Sequence, residues 1–199
     1  MGMCTPSVLF VMLALAVSAP TQAAGQSLTA EAPSTAQPTD AKGLYTKAMA
    51  TIRDGAESDY PAYIFRAIAL LTQSAEQGYP QAQFKLGYYF HTGPNSWDCL
   101  VQDPAKAYYW YALAAEQGHL EAQYELAMLY NAETGFAKFA DRDKYVAWMT
   151  KAADQGYGQA QRQLARMYQT GDGVPVDPEL ARSWSEKAAA QSKKRVPAK

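Results

Sequence analysis

The chain contains one short phrase three times, as Ala75-Glu76-Gln77-Gly78, Ala115-Glu116-Gln117-Gly118 and Ala153-Asp154-Gln155-Gly156. Measured from glycine to glycine, the copies follow one another at steps of 40 and 38 residues. Self-similarity at such a period is typical of proteins built from stacked structural repeats. Stacked repeats present extended surfaces that bind other molecules, so the phrase bears on function as well as on fold.

The sequence around each phrase repeats in the same register. Each glycine is followed by an alanine–glutamine pair, then a leucine, then an aromatic residue, and it is preceded by a large apolar residue. The leucines are Leu86, Leu126 and Leu164, the aromatic residues are Phe90, Tyr130 and Tyr168, and the preceding residues are Leu70, Trp110 and Trp148. Trp184 begins a fourth, incomplete copy. The repeat unit is about 36 residues, with short insertions in the first two loops.

In each repeat unit the sequence predicts two helices. Asp103 and Asp177 are good N-caps, and a proline follows each at the first helical position. The phrase glycines stand where a left-handed C-cap is expected. The first helices are predicted at Pro80–His91, Leu120–Asn131 and Gly158–Gln169, and the second helices at Asp103–Ala115, Asp141–Ala153 and Asp177–Ala190. No stretch alternates as a strand would, so the sequence predicts an all-α fold, an α/α superhelical solenoid.

The helical period also predicts which residues pack. Ala82, Leu86, Gly87 and Phe90 fall on one face of the first helix, where small side chains let a neighbouring helix approach closely. The tryptophans recur in register on alanine-rich second helices and are interpreted as packing between repeats. Beside Trp110 stand Tyr108, Tyr109 and Tyr111, of which at least one is expected at the surface.

The repeated pattern resembles the Sel-one-like repeat family, a relative of the tetratricopeptide repeats. It reads Ala-x-x-Trp-x-x-x-Ala-Ala-x-Gln-Gly, then Ala-Gln-x-x-Leu-Ala-x-x-Tyr, then Gly-x-Gly-Val-x-x-Asp, and it covers about Pro61 to Gln191. The best copy runs from Trp148 to Ala181. Two loops depart from the pattern. The first reads Gly93-Pro94-Asn95-Ser96-Trp97-Asp98-Cys99-Leu100-Val101 and the second Asn131-Ala132-Glu133-Thr134-Gly135-Phe136.

The resemblance implies a protein–protein adaptor. Periplasmic relatives act in envelope assembly, polysaccharide secretion, signalling regulation and toxin neutralisation as immunity proteins. Some secreted members carry a disulfide pair in each repeat, and a β-lactamase-like or penicillin-binding role has been ascribed to them. This chain has only Cys4 and Cys99, so that activity is not carried over.

The two ends of the chain have a different character. A short apolar run from Val8 to Val17, followed by Thr21-Gln22-Ala23, predicts a secretory signal peptide over residues 1–23, although no Lys or Arg precedes the run. An uncleaved apolar tail is the alternative. Residues 24–41 read as a disordered linker. Helical spacing from Leu44 to Ile52 predicts a capping helix, residues 42–192 form the solenoid, and 193–199 form a basic tail.

Composition and cysteine content restrict the classes of function. The net charge of −1 does not indicate a nucleic-acid-binding protein. Cys4 falls in the predicted signal peptide, so Cys99 has no partner for an internal disulfide and is either a quiet loop thiol or half of an intermolecular bond.

The sequence contains no recognisable catalytic motif. His91 and His119 lack metal-ligand spacing, and the sequence contains no nucleophile elbow and no phosphate-binding glycine loop. The run Gly171-Asp172-Gly173 is interpreted as a turn between helices rather than half of a phosphate or calcium loop. Asp141 and Asp143 are interpreted as helix capping rather than a pair of catalytic carboxylates. We therefore expect no enzyme activity and no cofactor or metal.

The candidate binding surface is the side of the first helices opposite the predicted core. We call it the first-helix face and define it by the positions six, seven and ten residues after each phrase glycine. It carries Phe84, Lys85 and Tyr88, then Tyr124, Glu125 and Met128, then Arg162, Gln163 and Arg166. Exposed aromatic residues and arginines on a rigid scaffold are typical of protein-binding hot spots. Alternatively, Phe84 and Tyr124 pack against neighbouring helices.

A second candidate contact is Trp97 in the inserted loop Asn95–Leu100, since inserted loops of repeat arrays often carry contacts. The alternative is that Trp97 folds back to cover a gap. The sequence thus predicts an exported, non-enzymatic protein of the Gram-negative periplasm that binds a protein as adaptor, regulator or immunity protein. A cell-wall or glycan-binding module is the alternative, and a β-lactamase-like hydrolase a further one.

Overall fold

The structure is a computed structural model that describes residues 40–54, 62–93, 102–131 and 139–195. Within these ranges the chain forms eight helices and no strand. They are α1 (Ala41–Asp54), α2 (Ala62–Glu76), α3 (Pro80–Thr92), α4 (Pro104–Glu116), α5 (Leu120–Tyr130), α6 (Arg142–Asp154), α7 (Gly158–Thr170) and α8 (Pro178–Arg195). The predicted all-α fold is confirmed.

The helices form a linear array. All pairs of helices in extensive contact are consecutive along the chain, and α1 with α2, α3 with α4, α5 with α6 and α7 with α8 pack most closely. Each further helix pair then stacks on the one before it. This arrangement is the α/α solenoid that the repeated phrase predicts.

The helices begin and end where their capping residues indicate. The side chain of Asp103 accepts hydrogen bonds from the backbone N–H groups of Ala105 and Lys106 at the start of α4. Asp141 and Asp177 cap α6 and α8 in the same way, so the capping interpretation of Asp141 is confirmed. The phrase glycines have φ values of 86°, 88° and 90°, a conformation that glycine adopts without the steric cost of a side chain.

The last helix is longer than predicted. α4 and α6 end just before a phrase glycine, whereas α8 runs on to Arg195. Counted from the tryptophan, residue 192 of α8 takes the place of that glycine, and it is a serine. Serine lacks glycine's preference for the left-handed conformation, so the helix continues. It includes the first three residues of the predicted basic tail.

The turn between α7 and α8 is the one that the sequence predicts. Gly171 is the left-handed C-cap of α7, with its N–H bonded to the carbonyl of Met167. Gly173 has a φ of 77°. The Asp172 carboxylate lies 3.9 Å from the guanidinium of Arg142 on α6, so it ties the turn to the preceding repeat.

The core follows the predicted faces of the helices. Leu86 and Gly87 are buried, and Tyr111 from α4 packs directly on Gly87. Trp184 is buried, and Trp110 and Trp148 are partly buried against the two core clusters, which confirms their packing role. Of the tyrosines beside Trp110, Tyr109 is the exposed one, at 55%.

A row of glutamines fastens successive repeats together. The buried side-chain amides of Gln83, Gln123 and Gln161 each donate to the backbone carbonyl of the phrase alanine of the preceding repeat, at 3.0–3.1 Å. The phrase glutamines Gln117 and Gln155 donate in turn to Gln83 and Gln123. Gln161 Oε1 is buried and has no hydrogen-bond partner among the described residues. The glutamine row is therefore complete in two repeats and open at one atom in the last.

Several predictions lie outside the described residues. They concern the signal peptide, the linker up to residue 39, Trp97 and Cys99 in the first inserted loop, residues 132–138 of the second loop, and the last four residues of the tail.

Candidate partner-binding face

The aromatic residues of the first-helix face pack against the next repeat. Phe84 stacks on the ring of His119, with centroids 4.7 Å apart, and also contacts Tyr111. Tyr124 lies 5.5 Å from the ring of Tyr157 in the same relation one repeat later. The structure therefore shows the alternative interpretation of these two rings, and both remain only partly accessible. Whether they also contact a partner stays a prediction.

His119 and Tyr157 owe these contacts to their position in the chain. Each directly follows a phrase glycine and is the N-cap residue of the next first helix. His119 also caps α5, because its Nδ1 accepts a hydrogen bond from the backbone N–H of Ala122 at 3.3 Å. Burial lowers the pKa of His119, against the opposing charge of Glu121, which keeps Nδ1 available as an acceptor. The role of His119 was not predicted from the sequence, although its place directly after the phrase glycine was the available signal.

Arg162 takes the position of Phe84 and Tyr124 in α7. No N-cap ring of a following repeat lies over it within the described residues, and Arg162 is exposed. Arg166, one turn later, is exposed as well. Between them, Gln163 donates a hydrogen bond of 2.8 Å to the hydroxyl of Tyr145 on α6. The face therefore ends in a pair of accessible cations.

The centre of the face holds a partly buried carboxylate. Glu125 Oε2 lies 3.8 Å from Nδ1 of His91, and that nitrogen lies 3.4 Å from the hydroxyl of the buried Tyr111. Burial raises the pKa of Glu125 and lowers the pKa of His91. Burial first and the charge of Glu125 second raise the pKa of Tyr111. Burial thus disfavours the charged forms of both His91 and Glu125. Because His91 is less readily protonated than an exposed histidine, it offers less positive charge to pair with the Glu125 carboxylate.

The N-terminal part of the face is aromatic and exposed. Tyr88 is 43% exposed, the largest value among the aromatic residues of the face. The ammonium group of Lys85 lies 5.5 Å from the centre of the Tyr88 ring and 5.7 Å from that of Tyr89. Met128, the residue equivalent to Tyr88 one repeat later, packs partly buried against the core. Tyr88 is therefore the most exposed ring of this surface.

The described part of the chain offers no cluster of metal ligands. It contains no group of three or more His, Cys, Asp or Glu side chains placed to hold a metal ion. None of its helices has both the length and the apolar character needed to cross a membrane. The arrangement on the first-helix face is instead suited to contact with another macromolecule: an exposed ring, a partly buried acid and two exposed arginines in sequence along one side.

Comparison with known proteins gives the same architecture. The family model described as Sel1 repeat matches residues 64–79, 80–119, 120–157 and 158–193. A protective antigen of uropathogenic Escherichia coli with an SLR fold is 32% identical over 78% of this chain, with a TM-score of 0.68, and this chain spans 32% of that longer one. A Sel1 repeat protein from Oxalobacter formigenes is 32% identical, with a TM-score of 0.55, over 69% of this chain and 94% of its own. The chain belongs to the Sel1 repeat family.

Proposed function

We propose that this protein is an exported, non-enzymatic binding module that holds a protein partner on the first-helix face. Sel1 repeats form a protein-interaction fold, and the face described above supports such a use here. The role is that of an adaptor, a regulator or a toxin-neutralising immunity protein in the periplasm of a Gram-negative-type cell. Export rests on the apolar run and small residues of positions 8–23.

One observation carries the proposal. Phe84 and Tyr124 are partly covered by rings of the following repeat, whereas Tyr88, Arg162 and Arg166 on the same face are exposed. Tyr and Arg are the residue types enriched where binding energy concentrates, because both offer a large contact area together with hydrogen-bond donors. Their backbones belong to helices of a stacked array and are fixed before a partner arrives, so only the side chains have to be ordered on binding.

The test is affinity capture of the tagged protein from its own cell envelope, read by mass spectrometry. We expect one abundant protein partner, lost in the double variant Tyr88→Ala/Arg166→Glu. Tyr109→Ala is the matched control, because Tyr109 is more exposed than Tyr88 but lies on the second helix α4. The mass of the tagged protein itself also tests export, since cleavage after Ala23 gives a chain that begins at Ala24.

Two results would count against the proposal. A partner retained by the double variant but lost with Tyr109→Ala would place the binding surface on the second helices. Retention on insoluble peptidoglycan with no protein captured would favour the glycan-binding alternative.

A further inference from the structure

The last two helices leave a groove open at the C-terminal end of the array. We call it the terminal groove, and it has a volume of about 380 Å³. Ala165 of α7 and Ala188 and Ala189 of α8 form part of its lining, and Arg162 and Arg166 stand along the α7 side. Within the described residues, no helix packs into it.

The equivalent groove one repeat earlier is filled by a helix. There α7 packs against α6, and Met149, Ala152 and Ala153 of α6 are fully buried. Counted from the tryptophans, these residues correspond to Ser185, Ala188 and Ala189 of α8. Ser185 and Ala189 are exposed, whereas Ala188 is buried as Ala152 is. The terminal groove therefore has the shape that receives a helix inside the array, with a more polar lining.

The charge of the groove indicates what kind of helix it fits. Neither Arg162 nor Arg166 lies within ion-pair distance of a carboxylate among the described residues. In the stacked array the positions of Arg162 and Arg166 follow Tyr124 and Met128 in register. A helix that packs in the groove as α7 packs on α6 would continue this register. Its residues equivalent to positions 162 and 166 of α7 would then lie beside Arg162 and Arg166. Acidic residues there would pair with them.

A second copy of the chain fits this groove poorly. Stacking end to end would bring in α1, the first described helix, whose outer cleft is lined by Lys42 and Lys47 as well as Asp40. Asp40 is engaged at the start of α1, where its side chain accepts a hydrogen bond from the backbone N–H of Gly43. Two lysines facing two arginines oppose such a contact.

We propose that the terminal groove binds an amphipathic helix of a partner protein that carries acidic residues beside Arg162 and Arg166. The inference rests on the proposed protein-binding function and names the chemistry of the partner. Small apolar residues of the partner helix would lie on the exposed Ala189, as α7 lies on Ala153. Its acidic side chains would then extend the first-helix face by one helix.

The test uses two synthetic peptides built on the sequence of α7, residues 158–170, which is the helix that fills the preceding groove. One peptide keeps both arginines, and the other carries Arg162→Glu and Arg166→Glu. Both are capped and stapled, since isolated helices of this length are marginal in water. Fluorescence anisotropy with the full-length protein should show roughly tenfold tighter binding of the glutamate peptide at low salt, with a gap that narrows as salt rises.

Two protein variants locate the binding. Ala189→Trp fills the groove from an exposed position and should abolish binding of the glutamate peptide, while an unchanged melting temperature shows that the variant is folded. The double variant Arg162→Glu/Arg166→Glu should reverse the preference in favour of the arginine peptide, and Arg166→Glu alone should remove most of the preference. Tyr109→Ala should leave peptide binding unchanged, because Tyr109 lies on α4 and does not line the groove.

Equal affinity for the two peptides, or binding that survives Ala189→Trp, would overturn the inference. So would self-association in sedimentation velocity that Ala189→Trp removes, since it would give the groove to a second copy. A captured partner that depends on Tyr88 but tolerates Ala189→Trp would overturn the groove and leave the proposed function standing. If no variant lost either the captured partner or the glutamate peptide, both the proposed function and the groove proposal would be refuted.

Discussion

Gly87 and Gly118 belong to the same repeat pattern, but the structure requires them for different reasons. Gly87 has ordinary helical geometry, and a Cβ atom added there would lie 2.5 Å from the ring of Tyr111. Gly118 has a φ of 88°, and an added Cβ would meet no atom within 4 Å. The first glycine is therefore needed for space, and the second for its backbone conformation.

Alanine substitution should separate these two requirements. We expect Gly118→Ala to lower the free energy of unfolding by about 1 kcal/mol, the usual cost of positive φ for an L-residue. Gly87→Ala should cost more, on the order of 2–3 kcal/mol, since the Tyr111 ring is fully buried and has little room to move. Urea denaturation measures both. Gly78→Ala is the control, with the same conformation as Gly118 and the same free space, and a larger loss in Gly118→Ala than in Gly87→Ala would contradict the assignment.

His119 makes stability depend on pH. Its pKa is lowered in the folded state from an ordinary value of 6.5, chiefly by burial, and the pKa of His91 is lowered by the same cause. The unfolded chain therefore takes up protons first as the pH falls below about 6.5, so stability should decrease there and stay level above it. Protonation of His119 also removes the acceptor for the Ala122 N–H group. The Glu121 carboxylate, whose Oε2 lies 3.4 Å from His119 Nδ1, stabilises the protonated ring and offsets this loss only in part.

Urea midpoints at pH 7.5, 6.5 and 5.5 check this prediction. His119→Asn keeps a residue suited to the N-cap and removes one titrating group, so its midpoint should fall less over the same range. A remaining fall is expected from His91. Glu125 has the opposite effect on stability. Its pKa is raised in the folded state, so the folded protein gains stability relative to the unfolded chain as the Glu125 carboxylate becomes protonated at lower pH. A wild-type midpoint that rises between pH 6.5 and 5.5 would refute the dominance of the histidines.

At the scale of the helices, the glutamine row distinguishes the last repeat from those before it. Gln123 is fully buried, donates to the Ala115 carbonyl and accepts from Gln155. Gln161 makes the equivalent donation to Ala153, but its oxygen lacks a donor among the described residues. Gln191, which corresponds to Gln155 in α8, has its side-chain amide near Gly156 instead.

Leucine substitution should therefore cost less at Gln161 than at Gln123. We expect Gln123→Leu to lower the free energy of unfolding by about 2 kcal/mol, since it breaks two hydrogen bonds within the core. Gln161→Leu should cost about 1 kcal/mol or less, because it breaks one bond and removes a buried oxygen that already lacks a partner. Thermal or urea unfolding of the two variants decides the matter. Equal losses would mean that the Gln155–Gln123 bond contributes nothing to stability.

The helix bounds could be read from the sequence because their determinants are local. Asp at the N-cap, proline after it and glycine at the C-cap each act within one turn. The observed bounds of the repeat helices α3 to α7 differ from the predicted ones by at most one residue. The end of α8 was predicted too early, although Ser192 in place of glycine was visible. The role of the glutamines was not predicted, since it depends on how a side chain folds back across the turn between helices.

At the scale of the whole molecule, the candidate site was predictable only in outline. The repeat register predicted which residues share the first-helix face, because that follows from the helical period. The register did not predict that Phe84 and Tyr124 are partly covered while Tyr88 is exposed. This difference depends on two rings of the following repeats, those of His119 and Tyr157. The contact between Glu125 and His91 joins two repeats, and no pattern within one repeat indicates it.

The consecutive packing of the helices has a consequence for how the chain reaches its folded state. Because each helix relies mainly on its immediate neighbours, the contacts that matter join residues close in sequence, and little loop entropy is lost in making them. Topologies of this kind fold quickly, and folding can start at any well-formed helix pair and spread in both directions. A chain emerging gradually from a ribosome or a translocation channel can therefore order each repeat as it appears, without waiting for its other end.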